Sequence, residues 1–256
     1  MGQHVVVTGA SAGIGKAIAK AFASKGAKLT LVARRRGLLE ALADEVDVDC
    51  HIVEQDLSDT VASTSFLDDA VSALGPVDVL INNAGVQIIE AAHEVDADAQ
   101  ERMLAVDLLT PLRLCRAVLP DMVERKSGCV VNISSVAALA PVPGMTAYNA
   151  AKAGLASYSE SLAGELKGSG VHVVTVYPGP VHTDMGDAGA EKYEQSLAFR
   201  MQSWGDADVL GQKVVRAVEK KQKRLVYPAS YGGVRHLPDG LVRTALDVMT
   251  PGLKKH

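Results

Sequence analysis

Seven short apolar runs, several rich in β-branched residues, punctuate the chain: HVVVT (4–8), KLTLVA (28–33), CHIVEQ (50–55), VDVLIN (77–82), CVVNIS (129–134), VHVVTVY (171–177) and RLVYP (224–228). Runs this short suit strands buried on both faces of a sheet. Helical periodicity fills most of the intervals, notably at 14–25, 36–46, 59–74, 98–124, 147–167 and 206–221. Unbroken alternation of this kind predicts an α/β fold, a doubly wound parallel sheet of about seven strands with helices on both faces. No repeat or linker divides it, so residues 1–256 are expected to form a single domain. One irregular stretch, 184–205, mixes Met185, Tyr193, Leu197, Phe199, Met201 and Trp204 with charges. It reads as a lid over a ligand site, or as a helical excursion packed on the core.

Composition narrows the picture. Apolar and charged contents are near average, and 256 residues leave room for a sizeable core. A net charge of −4 gives no electrostatic footprint for nucleic acid. Cys50, Cys115 and Cys129 lack metal spacing and even pairing, so buried thiols in a reducing compartment are expected. The seven histidines show no paired ligand spacing, and no metal site is expected. The first strand begins within four residues of Met1, and no apolar run is long enough to span a bilayer. Together these suggest a cytoplasmic protein without a secretory leader or stable membrane insertion.

Candidate chemistry begins at the first βα junction. HVVVT is followed at once by GASAGIG (9–15) and then by a helical stretch. Strand, glycine turn and helix in that order form a phosphate cradle: glycines let the backbone approach a ligand, and a helix N-terminus offers free N–H groups. The spacing, Gly9-x-x-x-Gly13-x-Gly15, differs from the widespread G-x-G-x-x-G. Further on, Tyr148 and Lys152 lie four residues apart in a helical stretch, thirteen residues after Ser135. That spacing puts phenol and ammonium on one helix face, where a cation favours the phenolate and suits the tyrosine to acid–base work.

TGASAGIG (8–15), Asp56-Leu57, NNAG (82–85), NISS (132–135), YNAAK (148–152) and PGPVHT (178–183) occur in this order over most of the chain. In this the sequence resembles the short-chain dehydrogenases/reductases. The resemblance implies a Rossmann-like NAD(P)-binding domain and hydride transfer between a secondary alcohol and a carbonyl. Tyr148 is then the general acid/base, Ser135 positions the substrate oxygen, and Lys152 supports the tyrosine and reaches the nicotinamide ribose. The family's thirteen-residue interval selects Ser135 over Ser134, which should point away. Gly9, Ser11, Gly13, Ile14 and Gly15 become the phosphate loop, and Asp56 with Leu57 the adenine contacts. Asn83, Ala84 and Gly85 pack on the cofactor ribose, while Val181 and Thr183 hold the carboxamide. Thr183 also suits a helix N-cap. Relatives pair the helices around 102–124 and 147–167 across a two-fold axis, so a homodimer or homotetramer is expected.

Two positions refine this reading. NAD-preferring sites place a carboxylate about 20 residues beyond the glycines. Here Ala33 ends the second strand and Arg34 to Arg36 follow. NADP(H) is therefore expected over NAD(H), with Arg34 on the 2′-phosphate. Ala12 stands where NADP-dependent relatives often carry a second basic residue, which leaves NAD(H) open. In the segment 102–120 the family asparagine is replaced by Asp107. A carboxylate there either couples to Lys152, weakening any depression of the Tyr148 pKa, or is satisfied by backbone amides. The alternative for the whole chain is a non-catalytic nucleotide-sensing or scaffold protein on the same fold, which has no need of Ser135, Tyr148 and Lys152 together. The apolar 184–205 stretch and PVPGM (141–145) suit a hydrophobic alcohol or carbonyl substrate. The tail from Leu237 onward could form an amphipathic helix that packs on a partner subunit or brushes a membrane.

Overall fold

The computed structural model describes residues 2–193 and 202–233. Most of the C-terminal tail, and Leu197, Phe199 and Met201 of the expected lid, lie outside the described residues. Within them, the apolar runs become strands β1 (His4–Thr8), β2 (Lys28–Ala33), β3 (Cys50–Glu54), β4 (Val79–Asn82), β5 (Gly128–Ile133), β6 (Val171–Pro178) and β7 (Arg224–Tyr227). All pairings are parallel, in the order β3-β2-β1-β4-β5-β6-β7. The order reverses between β1 and β4, where the crevice for a ligand of a doubly wound sheet forms.

Alternation along each strand feeds two cores. Val5 and Val7 of β1 face α1 (Gly13–Ala23), α2 (Arg36–Glu45) and α8 (Ala207–Glu219), whose Ile18, Phe22, Leu39, Leu42, Leu210 and Val214 are buried there. Val6 faces the opposite layer of α3 (Leu67–Leu74), α5 (Thr110–Glu124) and α6 (Thr146–Glu165), represented by Leu67, Leu114, Met122 and Leu162. Both faces are therefore dry, which is why the strands read as continuous apolar runs.

Two expected helices differ from the structure. The 59–74 helix is regular only from Leu67. Upstream, the Asp59 carboxylate accepts from the backbone N–H of Val61 and Ala62 at 3.0 and 3.1 Å, and Ser63 Oγ donates to the Thr60 carbonyl. Such side chains offer the backbone a turn in place of a helix. The 98–124 helix is α4 (Ala97–Leu104), a π-helical turn (Ala105–Leu109) and α5 in continuous succession. Pro111 explains the turn. Its missing N–H cannot reach the Asp107 carbonyl four residues back, and its ring crowds that carbonyl. The helix widens instead, with the Thr110 N–H bonded to the Ala105 carbonyl.

A buried polar chain ties sheet to helix. Asn82 Nδ2 donates to Asn132 Oδ1 at 2.8 Å, Asn132 Nδ2 to Ser159 Oγ at 2.8 Å, and Ser159 Oγ to the Leu155 carbonyl at 2.6 Å. Ser159→Ala should leave the buried Asn132 donor without its acceptor and cost about 1–3 kcal/mol. Urea unfolding monitored by circular dichroism should show the midpoint falling with unchanged slope; an unchanged midpoint would contradict the role given to this chain.

Candidate active site

The C-terminal ends of β1, β2, β4, β5 and β6 open into a cavity of about 1080 Å³. Its lining includes Gly9, Ser11, Gly13, Ile14, Gly15, Arg34, Asp56, Leu57, Asn83, Ala84, Gly85, Ser135, Tyr148, Lys152, Val181 and Thr183. These residues are scattered over most of the sequence, and the fold brings them to one space. Asp107 stands behind Lys152 and outside the cavity lining.

The glycine turn is fixed by close packing. Gly9 has φ +67°, and a Cβ there would come within 2.9 Å of the Ala84 Cα. A Cβ on Gly15 would lie 2.2 Å from the Gly9 carbonyl oxygen. No side chain caps the N-terminus of α1, where Ala12 is extended, so its first N–H groups face the cavity's end of the helix unclaimed by a cap. Thr8 holds the turn against the next strand. Its hydroxyl donates to the Ile81 carbonyl and accepts from the N–H groups of Asn83 and Ala84 at 2.9 and 3.0 Å. The Asn83 amide in turn donates to the Thr8 carbonyl at 2.9 Å. Thr8 opens the TGASAGIG motif, but the sequence assigns no partner to its hydroxyl.

Of the three arginines after β2, Arg36 bonds Glu40 one helical turn on, at 2.8 Å, as a surface pair. Arg34 and Arg35 both line the cavity, and Arg35 Nη2 donates to Ser11 Oγ at 3.1 Å. Arg35 is a second candidate anion contact that the run of identical residues concealed. Asp56 accepts from the backbone N–H and hydroxyl of Ser58, each at 2.9 Å. Those bonds, with Arg34 nearby, hold its carboxyl below the usual range. Thr183 caps α7 (Asp184–Ala190), accepting from the Gly186 N–H at 3.0 Å, so its cap role is realised at the cavity edge.

At the centre, Lys152 and Asp107 form a buried ion pair of 3.2 Å, their side chains 5% and 0% exposed. Asp107 also accepts from the Val86 N–H at 2.7 Å, and the ammonium donates to the Ile133 carbonyl at 3.2 Å. The one carboxylate thus has both the lysine and a backbone amide as neighbours. Gly85 packs beside the pair: a Cβ there would sit in ordinary contact with the Lys152 Nζ at 3.4 Å and the carboxylate at 3.5 Å. Ser134 Oγ is spent on the Lys152 carbonyl at 2.8 Å, whereas Ser135 lines the cavity, its Oγ donating to the Pro178 carbonyl at 3.5 Å and accepting from the Ala137 N–H at 3.1 Å. The Lys152 Nζ lies 5.6 Å from the Tyr148 ring centre.

The charge balance differs from a simple lysine-lowered tyrosine. Burial raises the Tyr148 pKa most strongly; Lys152 lowers it, Asp107 raises it and the Ser135 bond lowers it, with a net upward shift. Burial alone would lower Lys152, but Asp107 and Tyr148 outweigh it and the ammonium is held above its ordinary range. Burial likewise raises Asp107, against the pull of Lys152 and Val86.

The described part of the 184–205 stretch opens with the helix α7. Met145 and Tyr193 are buried against Ile89, Val142, Tyr148, Ala190 and Trp204, and the Tyr193 hydroxyl donates to the Pro143 carbonyl at 3.0 Å. His182 stacks on Trp204 at 4.8 Å and bonds Asp187, outside the cavity lining. Among the described residues no cluster of metal-ligating side chains occurs, and no helix is long and apolar enough to cross a membrane.

Comparison with known proteins places this geometry. A model of the short chain dehydrogenase family matches residues 3–194. The chain belongs to the short-chain dehydrogenase/reductase family. A short chain dehydrogenase of Pseudocercospora fijiensis is 40% identical over 190 residues, 72% of this chain and 62% of that protein. The chain therefore aligns with less than two thirds of that relative's length. A short-chain dehydrogenase structure from Streptomyces avermitilis superposes with TM-score 0.82 at 31% identity, covering 96% of this chain and 95% of that one. A metagenomic short-chain oxidoreductase in complex with NADP gives 0.73 at 33% identity, covering 88% and 96%. A 3-ketoacyl-(acyl-carrier-protein) reductase from Brucella melitensis, complexed with NADH, gives 0.79 at 26%, covering 88% and 96%. The family is one of oxidoreductases with an NAD(P)-binding fold.

The ion pair makes a prediction. Asp107→Asn removes a charge that raises the Tyr148 pKa, and wherever Lys152 keeps its proton the field left on the phenol is that of the ammonium alone. Where Tyr148 is the base of an alcohol oxidation, as the sequence reading expects, the basic limb of that reaction should then move to lower pH. Breaking half of a buried pair should also lower stability by about 3–5 kcal/mol. A pH–rate profile that does not move while the melting temperature falls would make Asp107 purely structural.

Proposed function

We propose that the protein is an NADP(H)-dependent oxidoreductase that interconverts a hydrophobic secondary alcohol and its carbonyl. The observation that carries this is the convergence of Ser135, Tyr148 and Lys152 in the same cavity as the uncapped, glycine-lined start of α1. A binding-only protein has no use for a buried ammonium held beneath a phenol, which weighs against the nucleotide-sensing or scaffold alternative.

The residues fit a nicotinamide dinucleotide. Close backbone packing at Gly9 and Gly15 leaves the turn free of side chains, and the open N–H groups of α1 suit a pyrophosphate. Asp56 and Leu57 would hold the adenine, Asn83, Ala84 and Gly85 the ribose side, and Val181 and Thr183 the carboxamide. Arg34 and Arg35, with Ala33 in place of a carboxylate, favour a 2′-phosphate. NAD(H) would bind more weakly. When bound, the cofactor supplies or accepts the hydride. Tyr148 gives the matching proton to the substrate oxygen in reduction and takes it in oxidation. Ser135 donates to that oxygen and fixes its place. Lys152 stabilises the phenolate as it forms, and Asp107 is a positioning residue that holds the ammonium there. The apolar cluster of Met145, Tyr193 and Trp204 would seat a hydrophobic substrate.

We also propose a homo-oligomer through α5 and α6, on a narrower basis than the sequence suggested. Ala151 and Ala156 are buried within the chain, and Gly154 packs on Leu108, leaving Ala150 and Ala153 for a partner. The proposed compartment is the cytoplasm.

Two measurements test the function. Arg34→Ala should weaken NADPH binding by about tenfold or more, as loss of a charge-assisted contact does, and NADH far less; equal losses by calorimetric titration would overturn the cofactor assignment. Tyr148→Phe should lower kcat by at least about a hundredfold while NADPH affinity stays close to wild type. A variant that keeps more than about a tenth of wild-type kcat would remove Tyr148 from the proton-transfer role.

A further inference from the structure

Gln87 follows the Asn83–Gly85 turn, and its side chain lines the cavity. Its surroundings suit an amide poorly. Nε2 lies 3.2 Å from the Met145 sulfur, a weak acceptor. The amide oxygen is held close to α7: a Cβ on Gly189 would come within 2.7 Å of it, and within 3.2 Å of the Ile89 Cδ1. Turning the amide over would set its oxygen against the sulfur lone pairs, so the nitrogen belongs on the sulfur side. Met145 and Ile89 are part of the same apolar cluster as Tyr148 and Trp204. The result is a neutral hydrogen-bond donor, under-satisfied and half-buried, set in an apolar wall next to the catalytic phenol.

A polar group in such a wall costs stability unless something completes its hydrogen bonding. Packing alone would be served better by leucine or methionine at this position. Water or a ligand oxygen can complete the amide, and the ligand oxygen would do so in a space whose other walls favour apolar surface. Because the amide carries no charge, it compensates a neutral acceptor better than a carboxylate, whose desolvation it cannot repay.

We propose that Gln87 is a specificity-determining residue whose amide donates to a second, neutral oxygen on the substrate. The substrate class is then a ketone or secondary alcohol with an apolar body and a further carbonyl-type oxygen (ester, thioester, amide or second ketone) near the reacting carbon. This rests on the function proposed above for the same cavity. The body lies against Met145, Tyr193 and Trp204, and the reacting oxygen against Ser135 and Tyr148. An analogue without the second oxygen leaves the Gln87 amide unpaired and is rejected for that reason.

Trp204, the one tryptophan of the chain, lines the cavity, so its fluorescence reports occupancy without turnover. The experiment titrates the whole protein, saturated with NADP+, with a 3-keto ester and with the plain ketone of equal length. Wild type should bind the keto ester at least about tenfold more tightly, in line with sites built around a hydrogen bond. Gln87→Leu should bring that ratio to within about threefold of unity, and Gln87→Glu, which keeps the shape but loses the donor, should lower it as well. A structural role would weaken both ligands together and leave the ratio intact, which overturns the assignment. So does a wild-type ratio near unity, or a Trp204 signal that neither ketone perturbs. A parallel assay of NADPH oxidation separates the two readings: a ratio that depends on Gln87 without any turnover supports the binding role and sinks the oxidoreductase activity.

Discussion

A lysine ammonium buried in a protein interior costs several kcal/mol unless a partner repays it, and the arrangement of this site follows from how Lys152 is repaid. Asp107 supplies the charge at 3.2 Å and the Ile133 carbonyl a hydrogen bond at 3.2 Å. Each partner comes from a different element, so the pair joins the end of β5, the helix α6 and the π-turn before α5. Asp107 is itself steadied by the Val86 N–H. That contact draws in the loop after β4, whose Gly85 lies against the pair. The chain's local chemistry serves the same end. Pro111 denies the Asp107 carbonyl its helical partner, and the widened turn that results is where the Asp107 carboxylate departs toward Lys152.

The consequence for chemistry is a division of charge. Were Lys152 the only neighbour, its field would favour the Tyr148 phenolate. With Asp107 beside it, the pair is close to neutral overall, and burial then decides in favour of the protonated phenol. The free protein is thus set with its proton in place, the state that the proposed carbonyl reduction starts from. Ser135 works in the opposite direction, favouring the anion.

Much of this was legible in the sequence because it rests on local pattern. The β-branched runs mark strands buried on both faces. The glycines at 9, 13 and 15 mark a turn with no room for side chains, and the four-residue step from Tyr148 to Lys152 fixes a shared helix face. What escaped notice depends on contacts made across the fold. Nothing near Thr8 in sequence shows that its hydroxyl will bind the loop after β4. Arg35 could not be told from Arg34 until its guanidinium was seen on Ser11. The start of α3 was misjudged because Asp59 and Ser63 satisfy the backbone in turns, a competition that apolar periodicity does not register. The π-turn was hidden inside an unbroken helical pattern, although Pro111 stood four residues after Asp107 as its signal. The small residues of α6 read as an interface, yet several are consumed by packing within the chain.

The central claim is that burial, with Asp107 offsetting the field of Lys152, leaves the free protein with a protonated Tyr148. Carbon-13 NMR of protein labelled at the tyrosine ring carbon bearing the hydroxyl tests it directly, since that carbon shifts when the phenol ionises. The chain has six tyrosines, and the Tyr148→Phe spectrum identifies the resonance. The account predicts that the Tyr148 signal keeps its neutral position at about pH 7 and titrates with a midpoint above that of an ordinary tyrosine. A transition centred near neutral pH in the free protein would mean that Lys152 acts on the phenol without effective opposition from Asp107, and would contradict the account.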